Sequence, residues 1–172
     1  MSINREYSMY SSADAPYLEF LIRAVEDGLV SSKLQRLNVG DLVEIDGPYG
    51  EFCIHQENLS RKHLFIGSGT GVAPFHSFAK TYPELDYLVL HGIRYSDESY
   101  NHEDYKSGGY YPCISNNTQG VSVRVTDFLK TNPPKEETII YLCGNRNMIV
   151  DSVQILLDGG INGDQIITEV FF

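Results

Sequence analysis

The 172-residue chain is poor in cysteine, and this scarcity excludes several kinds of redox centre. Its three cysteines, Cys53, Cys113 and Cys143, are far apart and form no Cys-x-x-Cys pair. Zinc and iron–sulfur sites need clustered thiolates, so the sequence predicts no metal centre. An odd number of widely spaced thiols also favours a reducing compartment, and we therefore expect a cytoplasmic protein.

Long apolar runs and clusters of basic residues are also missing. No stretch of about 18 apolar residues occurs, which predicts no membrane span. Residues 1–8 lack the apolar core of a secretory signal. The formal charge is -10, and the 13 basic residues are not clustered, which argues against a nucleic-acid partner. We interpret the acidity as a solvated surface.

The first 60 residues have the pattern of strands and turns. Residues 17–25 alternate apolar and polar side chains for much of their length, which is typical of a half-buried strand. Residues 42–45 predict a second short strand, and residues 30–37 a short helix between the two. Gly47-Pro48-Tyr49-Gly50 is a turn with two flexible positions and one stiff position.

From about residue 61 the pattern alternates between strands and helices. The predicted strands are residues 63–66, 87–91, 110–115, 138–142 and 165–172, and the predicted helices are residues 75–82, 125–130 and 148–157. Such alternation predicts a doubly wound parallel sheet. We therefore place one domain at residues 1–60 and a second at residues 61–172.

A glycine-rich turn, residues 67–74, lies between the first predicted strand of this second domain and the helix that follows. Its glycines permit positive φ and close approach of a phosphate, and Pro74 suits the first turn of a helix whose free N–H groups attract anions. The alternative is a tight strand-to-helix turn without a ligand. Val72 stands where the usual dinucleotide fingerprint has its third glycine, and the next strand runs into Arg94 instead of an acidic residue, which suits a phosphate.

Six short motifs occur in series along the chain. On the amino-terminal side they are Arg5-Glu6-Tyr7-Ser8, Gly28-Leu29-Val30-Ser31, and Gly47-Pro48-Tyr49-Gly50 with Phe52. On the carboxy-terminal side they are Gly69-Thr70-Gly71-Val72-Ala73-Pro74, Cys143-Gly144 with Met148, and Glu169 followed by Phe171 and Phe172. In this order they resemble the motifs of the ferredoxin–NADP(H) reductase family over nearly the whole chain. The resemblance implies an antiparallel β-barrel of the FAD-binding type, followed by an α/β NAD(P)-binding domain.

The resemblance also implies which residues hold the flavin. Arg5 would pair with a flavin phosphate, Tyr7 would lie against the isoalloxazine ring, and the Ser8 hydroxyl would reach the ring edge near N5. Gly28, Val30 and Ser31 would hold the phosphates at a helix start. Taken alone, Arg5 could equally form a surface ion pair, Tyr7 could pack in a barrel, and Ser31 could be a plain N-cap.

On the nucleotide side, the resemblance assigns the pyrophosphate to residues 69–74 and the nicotinamide to Cys143, Gly144 and Met148. Cys143 would seat the nicotinamide for hydride transfer without acting as a nucleophile, although a buried cysteine at a strand end is also common. Glu169 would take part in proton transfer.

One of the two terminal phenylalanines would cover the flavin ring, and the other would anchor the last strand. Successive strand side chains face opposite sides, so Phe171 shares the face of Glu169, and we assign the covering role to it over Phe172.

Two departures from the family pattern shape these expectations. Three barrel strands that precede the R-x-Y-S motif in the family are missing before Arg5, so we expect an open, N-terminally shortened barrel. FAD would then bind weakly or be lost, unless another chain completes the barrel. NADP(H)-specific members carry a Ser-Arg pair where this chain has Ser115-Asn116, leaving Arg94 and Arg124 to contact a phosphate. We therefore expect either NADPH or NADH to serve.

The leading hypothesis is an enzyme that moves hydride between NAD(P)H and FAD. Electrons would then pass to a carrier protein in trans, such as ferredoxin or flavodoxin, because this chain has no cluster ligands. Two alternatives remain open. The chain could be the reductase subunit of an oxygenase or multi-subunit oxidoreductase, or a nucleotide-binding domain without flavin activity.

Overall fold

A five-stranded parallel sheet forms the centre of the computed structural model, which describes residues 4–118 and 120–171. The strands are β1 (Lys62–Ser68), β2 (Asp86–Ile93), β3 (Tyr110–Ile114), β4 (Ile139–Asn145) and β5 (Ile166–Phe171). The α-helices are α1 (Ser31–Leu34), α2 (Ala73–Thr81), α3 (Val125–Thr131) and α4 (Arg146–Asp158). The strand order is β3-β2-β1-β4-β5, and every pairing is parallel. The doubly wound sheet predicted for the second domain is therefore confirmed.

Helices cover both faces of this sheet, which explains why its central strands are almost entirely apolar. On one face, α2 packs over an aromatic cluster that includes Phe65, Phe75 and Tyr141. On the other face, α3 and α4 cover a mainly aliphatic cluster. Helix α4 begins earlier than predicted because the Asn145 side chain caps it, accepting hydrogen bonds from the N–H groups of Asn147 and Met148.

The amino-terminal half departs from the prediction. Between residues 4 and 60 the structure has no β-strand, so the strands expected at residues 17–25 and 42–45 are absent, and the shortened antiparallel barrel is not formed. The helix expected at residues 30–37 is reduced to α1. A strand needs hydrogen-bonding neighbours on at least one edge, and an alternating segment without them leaves its apolar side chains in water. Tyr17 is accordingly 59% exposed and Leu42 97% exposed.

Both ends of this half nevertheless dock on the sheet domain. Ile54 is buried and Phe52 half-buried in the aromatic cluster, and the Tyr141 hydroxyl donates to the Cys53 carbonyl at 3.0 Å. Tyr10 is buried and its ring stacks on His76 of α2, with centroids 3.7 Å apart. These contacts hold the first motif of the chain beside the sheet.

Candidate active site

The glycine-rich turn lies at the carboxyl end of β1 and forms a 3-10 turn, Gly69–Val72, that leads into α2. Gly69 has a φ of +54°, a left-handed conformation that glycine adopts without strain. Gly71 is needed for a different reason. A Cβ on Gly71 would lie 2.4 Å from the Cys143 carbonyl oxygen and 2.7 Å from the Gly144 Cα. The turn therefore packs directly on the backbone of β4, next to the Cys143-Gly144 motif.

Three predicted catalytic residues meet at the ends of β4 and β5. The parallel register pairs Cys143 with Glu169. The Ser8 hydroxyl donates to Glu169 Oε2 at 3.0 Å, and the Cys143 thiol lies 3.6 Å from the same oxygen. The chain thus brings together side chains separated by up to 161 positions. One carboxylate accepts from both a hydroxyl and a thiol.

The Cys143 thiol is held in its neutral form. Burial raises its pKa above the ordinary value, and the charge of Glu169 and the hydrogen bond to that carboxylate raise it further. A neutral, buried thiol is a poor nucleophile. The geometry therefore agrees with a seating role for Cys143, and that role itself stays a prediction.

Of the remaining residues of the nicotinamide motif, Gly144 lies beside Ser68, whereas Met148 packs against the aliphatic cluster on the other face of the sheet. Gly144 has a φ of +121°, and a Cβ there would lie 2.5 Å from Ser68 Oγ, so only glycine fits. Ser68 Oγ also accepts a hydrogen bond from the Asn145 N–H at 2.8 Å. Met148 is half-buried in the first turn of α4. Phe171 faces the same side as Glu169, as alternation predicted, and packs partly buried against the aromatic cluster; Phe172 lies outside the described residues.

The residues expected to select the cofactor gather at the neighbouring edge, where β2 and β3 end. The Ser115 N–H donates to the Ile93 carbonyl, and the Asn116 N–H donates to the Arg94 carbonyl, both at 2.9 Å. Arg124 is the N-cap of α3. Both arginines are exposed, and within the described residues neither guanidinium forms an ion pair. The edge thus presents two exposed arginines, of which Arg94 lies over the Tyr95 ring with its guanidinium carbon 5.5 Å from the ring centroid.

The flavin-side residues are more dispersed. Arg5 is exposed and donates to the Asn4 carbonyl, while Tyr7 is half-buried next to Ser8. Gly28, Val30 and Ser31 lie at the start of α1, where Ser31 Oγ accepts from the Val25 N–H at 3.2 Å. In the described part of the chain, no hydrogen bond links these α1 residues to the glycine-rich turn. A guanidinium and a hydroxyl are nonetheless suitable donors for the phosphates of FAD, so the donor set fits that group.

Four further residues beside this site were not predicted from the sequence: His76, His91, Asp104 and Tyr110. His91 of β2 is completely buried, with Nδ1 2.7 Å from the Tyr110 hydroxyl and Nε2 2.8 Å from the Gly69 carbonyl. His76 of α2 places Nδ1 2.7 Å from the Tyr10 carbonyl and Nε2 2.9 Å from Asp104 Oδ2. The sequence could have indicated His91, because a histidine inside a buried apolar strand must find hydrogen-bond partners.

His76 and Asp104 together fix the segment that carries the first motif. The hydrogen bond from His76 lowers the pKa of Asp104, and the nearby Lys80 ammonium lowers it further. His76 holds the backbone of Tyr10, only two residues beyond Ser8. The position of Ser8 beside Glu169 thus depends on a contact between α2 and the loop that precedes β3.

Acid is expected to destabilise the fold through His91. Burial lowers its pKa to about 4, although the Gly69 carbonyl and the charge of Glu98 oppose this shift. In the unfolded chain the pKa of His91 is about 6.5. Above that pH the ring is neutral in both the folded and the unfolded state, so protonation of His91 does not reduce the free energy of unfolding. Between about pH 6.5 and 4 only the unfolded chain takes up the proton, and the free energy of unfolding falls by on the order of 3 kcal/mol.

Urea titrations at several pH values in this window would measure the effect, with His91→Gln as the matched control. The glutamine does not titrate, so the difference in pH dependence between the two proteins isolates His91 from the carboxylates. Parallel stability curves for both proteins would contradict the prediction.

Comparison with known proteins agrees with this geometry. Residues 65–154 match the family model of the oxidoreductase NAD-binding domain, and residues 1–54 match that of the oxidoreductase FAD-binding domain. A ferredoxin–NADP reductase from Pseudomonas aeruginosa is 27% identical in an alignment 207 residues long, which covers 97% of this chain and 80% of that protein. The chain belongs to the ferredoxin–NADP(H) reductase family. The resemblance that the six motifs indicated is confirmed.

Further relatives extend the match. The reductase component of a propane 2-monooxygenase from Rhodococcus jostii is 26% identical, covering 98% of this chain and 51% of that protein. A cytochrome P450 reductase from Amycolatopsis superimposes with a TM-score of 0.78 at 25% identity, covering 97% of this chain and 56% of that one. This ferredoxin–NADP(H) reductase family member is an oxidoreductase that uses FAD and NAD(P)H and transfers electrons to carriers.

In residues 4–118 and 120–171, no group of three or more histidine, cysteine, aspartate or glutamate side chains is arranged to hold a metal ion. In the same part of the chain, no helix is long and apolar enough to cross a bilayer.

Proposed function

We propose that hydride transfer takes place at the cluster of Ser8, Cys143 and Glu169, and that the electrons leave to a small carrier protein such as ferredoxin or flavodoxin. The observation that carries the proposal is the convergence on Glu169. A hydroxyl from the flavin-side motif and a thiol from the nicotinamide motif contact the same carboxylate oxygen. The glycine-rich turn packs on the backbone of Cys143, so pyrophosphate and nicotinamide would be bound side by side.

Each residue of the proposed site has a role that suits its chemistry. When bound, FAD accepts a hydride from the nicotinamide and releases its electrons singly. Arg5 and Ser31 would hold its phosphates, and Tyr7 would lie against its ring. Glu169 orients the Ser8 hydroxyl and provides an oxygen that can take up a proton. Cys143 shapes the nicotinamide pocket, with Phe171 as the covering ring.

The nucleotide is bound by backbone groups. The glycine-rich turn lies at the carboxyl end of β1 and leads into α2, so its N–H groups would hold a pyrophosphate there and the positive end of the helix dipole would support the anion. Gly144 leaves room beside Ser68, and the family resemblance assigns Met148, in the first turn of α4, to the nicotinamide. We place the enzyme in the cytoplasm, because its thiols are free.

A second candidate acceptor is an oxygenase, since the propane 2-monooxygenase relative is a reductase component. Rapid reduction of a free ferredoxin or flavodoxin by the FAD-loaded enzyme and NAD(P)H would support the carrier proposal. Failure to reduce either carrier, with reduction of a copurifying oxygenase component, would favour the alternative.

Flavin binding is expected to be weak in this chain on its own. The segment from residue 17 to residue 45 leaves apolar side chains in water and has no paired strands, so it cannot enclose the cofactor. We propose that another polypeptide segment completes the barrel. The expected result is FAD below one equivalent after extensive dialysis, while NAD(P)H binding persists. Full retention of FAD by the isolated chain would refute the need for a second segment.

Both nicotinamide cofactors are expected to serve. Asn116 brings no charge to a 2′-phosphate, whereas Arg94 and Arg124 can each supply a charge-assisted contact worth roughly 1.5–3 kcal/mol. Replacing Arg94 with alanine should therefore lower kcat/KM for NADPH by about tenfold to a hundredfold and leave NADH nearly unaffected.

Steady-state kinetics with the two cofactors would test this. Arg61→Ala is the matched control, because Arg61 lies just before the amino end of β1, at the opposite end of the sheet. Equal losses with NADPH and NADH would show that Arg94 does not contact the 2′-phosphate.

A further inference from the structure

We propose that His91 is a positioning residue for the nucleotide. With its ring held by the Tyr110 hydroxyl, it donates to the Gly69 carbonyl and thereby turns the Thr70 N–H toward the bound pyrophosphate. The inference rests on the NAD(P)H-binding function of the glycine-rich turn. It assigns a role to two residues that belong to none of the six motifs.

The hydrogen bonds determine the protonation of the His91 ring. A carbonyl oxygen can only accept, so Nε2, 2.8 Å from the Gly69 oxygen, must carry the proton. Burial keeps the ring neutral, so Nδ1 has a free lone pair and accepts from the Tyr110 hydroxyl at 2.7 Å. The opposite tautomer would place a lone pair against the carbonyl oxygen. The Gly69 carbonyl therefore fixes the tautomer of His91, and the Tyr110 hydroxyl stabilises it by donating to the free Nδ1 lone pair.

The Tyr110 hydroxyl is itself held in place. Its ring stacks on the buried Tyr105 ring with centroids 5.0 Å apart and an interplanar angle of 19°. Burial raises the pKa of Tyr110, although a hydrogen bond with the Ser99 side chain opposes this, so the hydroxyl keeps the proton that it donates. The direction of donation is thus fixed from Tyr110 to His91 and from His91 to the turn.

His91 supplies the side-chain hydrogen bond to the Gly69 peptide among the described residues. The 3-10 turn has no side-chain cap, and apart from the turn's own backbone no atom lies within 4 Å of the position where a Gly69 Cβ would be. The carbonyl of Gly69 and the N–H of Thr70 belong to one planar trans peptide and point in opposite directions. Holding the carbonyl toward the buried ring of β2 therefore aims the Thr70 N–H away from the sheet, where the anion would bind.

Substitutions in the full-length chain separate this role from ordinary packing. His91→Phe keeps an aromatic ring but loses the donor, and we expect NAD(P)H to bind about three- to tenfold more weakly by calorimetry. Tyr110→Phe should weaken binding by a smaller factor, because His91 keeps its bond to the Gly69 carbonyl and loses only the second hydrogen bond, which holds the ring. His91→Gln retains an N–H donor and should recover most of the affinity.

His63→Phe is the matched control. His63 is also a buried histidine of the sheet, but it lies at the amino end of β1, at the opposite end of that strand from the glycine-rich turn. This variant should bind NAD(P)H like the wild type. Equal affinity for His91→Phe and His63→Phe would overturn the proposal, as would a His91→Gln protein no better than His91→Phe.

Nuclear magnetic resonance gives a readout that does not depend on the ligand. In nucleotide-free protein, the ¹⁵N shifts of His91 should report the Nε2–H tautomer, and the Nδ1 resonance should shift in Tyr110→Phe, because Nδ1 loses its hydrogen-bond donor. The Thr70 amide resonance should shift in His91→Phe and stay unchanged in His63→Phe. An unchanged Thr70 amide in His91→Phe overturns the positioning role. A wild-type protein that shows these shifts but binds no NAD(P)H would overturn the proposed NAD(P)H-binding function. The hydrogen bonds of Tyr110, His91 and Gly69 would then have only a structural role.

Discussion

Replacing Gly71 with alanine is expected to abolish tight NAD(P)H binding and to destabilise the fold. The new methyl group would lie 2.4 Å from the Cys143 carbonyl oxygen, and the neighbouring contacts are with backbone atoms, which cannot move aside as a flexible side chain can. Overpacking of this kind costs about 1–3 kcal/mol. The turn must lift away from β4 to relieve it, which displaces the N–H groups that would hold the pyrophosphate and weakens binding by more than about tenfold.

Gly69→Ala is the matched control in the same turn. Its methyl group would meet no atom within 4 Å, so the only cost is the left-handed φ of +54°, about 1–2 kcal/mol. Urea unfolding and calorimetry with NADPH would compare the two proteins. A Gly71→Ala protein as stable as the wild type, with unchanged affinity, would contradict the packing argument.

The nucleotide-binding half could be predicted from the sequence because its signals are local. Buried strands, glycine-rich turn and capped helices occur in short consecutive segments, and each predicted element from residue 61 onward appears in the structure with small shifts at its ends. The face of Phe171 also followed from alternation along β5. Its packing against the aromatic cluster could not be predicted, because that contact depends on residues far away in the chain.

The amino-terminal half shows where local signals fail. Alternation in residues 17–25 correctly marks a segment that suits a sheet, but a strand forms only when a neighbour supplies its hydrogen bonds. The missing neighbour is not encoded in the segment itself. For the same reason the hydrogen bonds of His91 with Tyr110 and Gly69 could not be predicted from the sequence. These residues are 19 and 22 positions from His91 and meet it only after the parallel sheet has formed.

The site includes a contact between opposite ends of the chain. Ser8 and Glu169 come from opposite ends of the chain and meet because His76 holds Tyr10 on α2 while β5 pairs with β4. The resemblance of the motifs indicated both residues, but it did not show that their side chains are in hydrogen-bonding contact. The structure adds that Glu169 accepts from two donors at once, which makes this carboxylate the residue on which the cluster depends.

Replacing Glu169 with alanine should therefore slow hydride transfer in the FAD-loaded protein by at least about a hundredfold, in the range that a positioned acid–base group contributes. Ser8 would lose its acceptor and the site would lose the oxygen that can take up a proton. NAD(P)H affinity should change little, because the glycine-rich turn and the Arg94 edge are untouched. Stopped-flow reduction and calorimetry would separate the two quantities.

Thr168→Ala is the matched control, because Thr168 is the neighbouring residue on β5 and its side chain points to the opposite face. A second readout needs no flavin. The Glu169 charge and its hydrogen bond both raise the pKa of the Cys143 thiol, so Glu169→Ala should lower that pKa, and titration of the thiolate absorbance would detect the change. Burial continues to oppose ionisation, so the shift will be partial. A Glu169→Ala protein with wild-type transfer rates and an unchanged thiol titration would remove Glu169 from the proposed site.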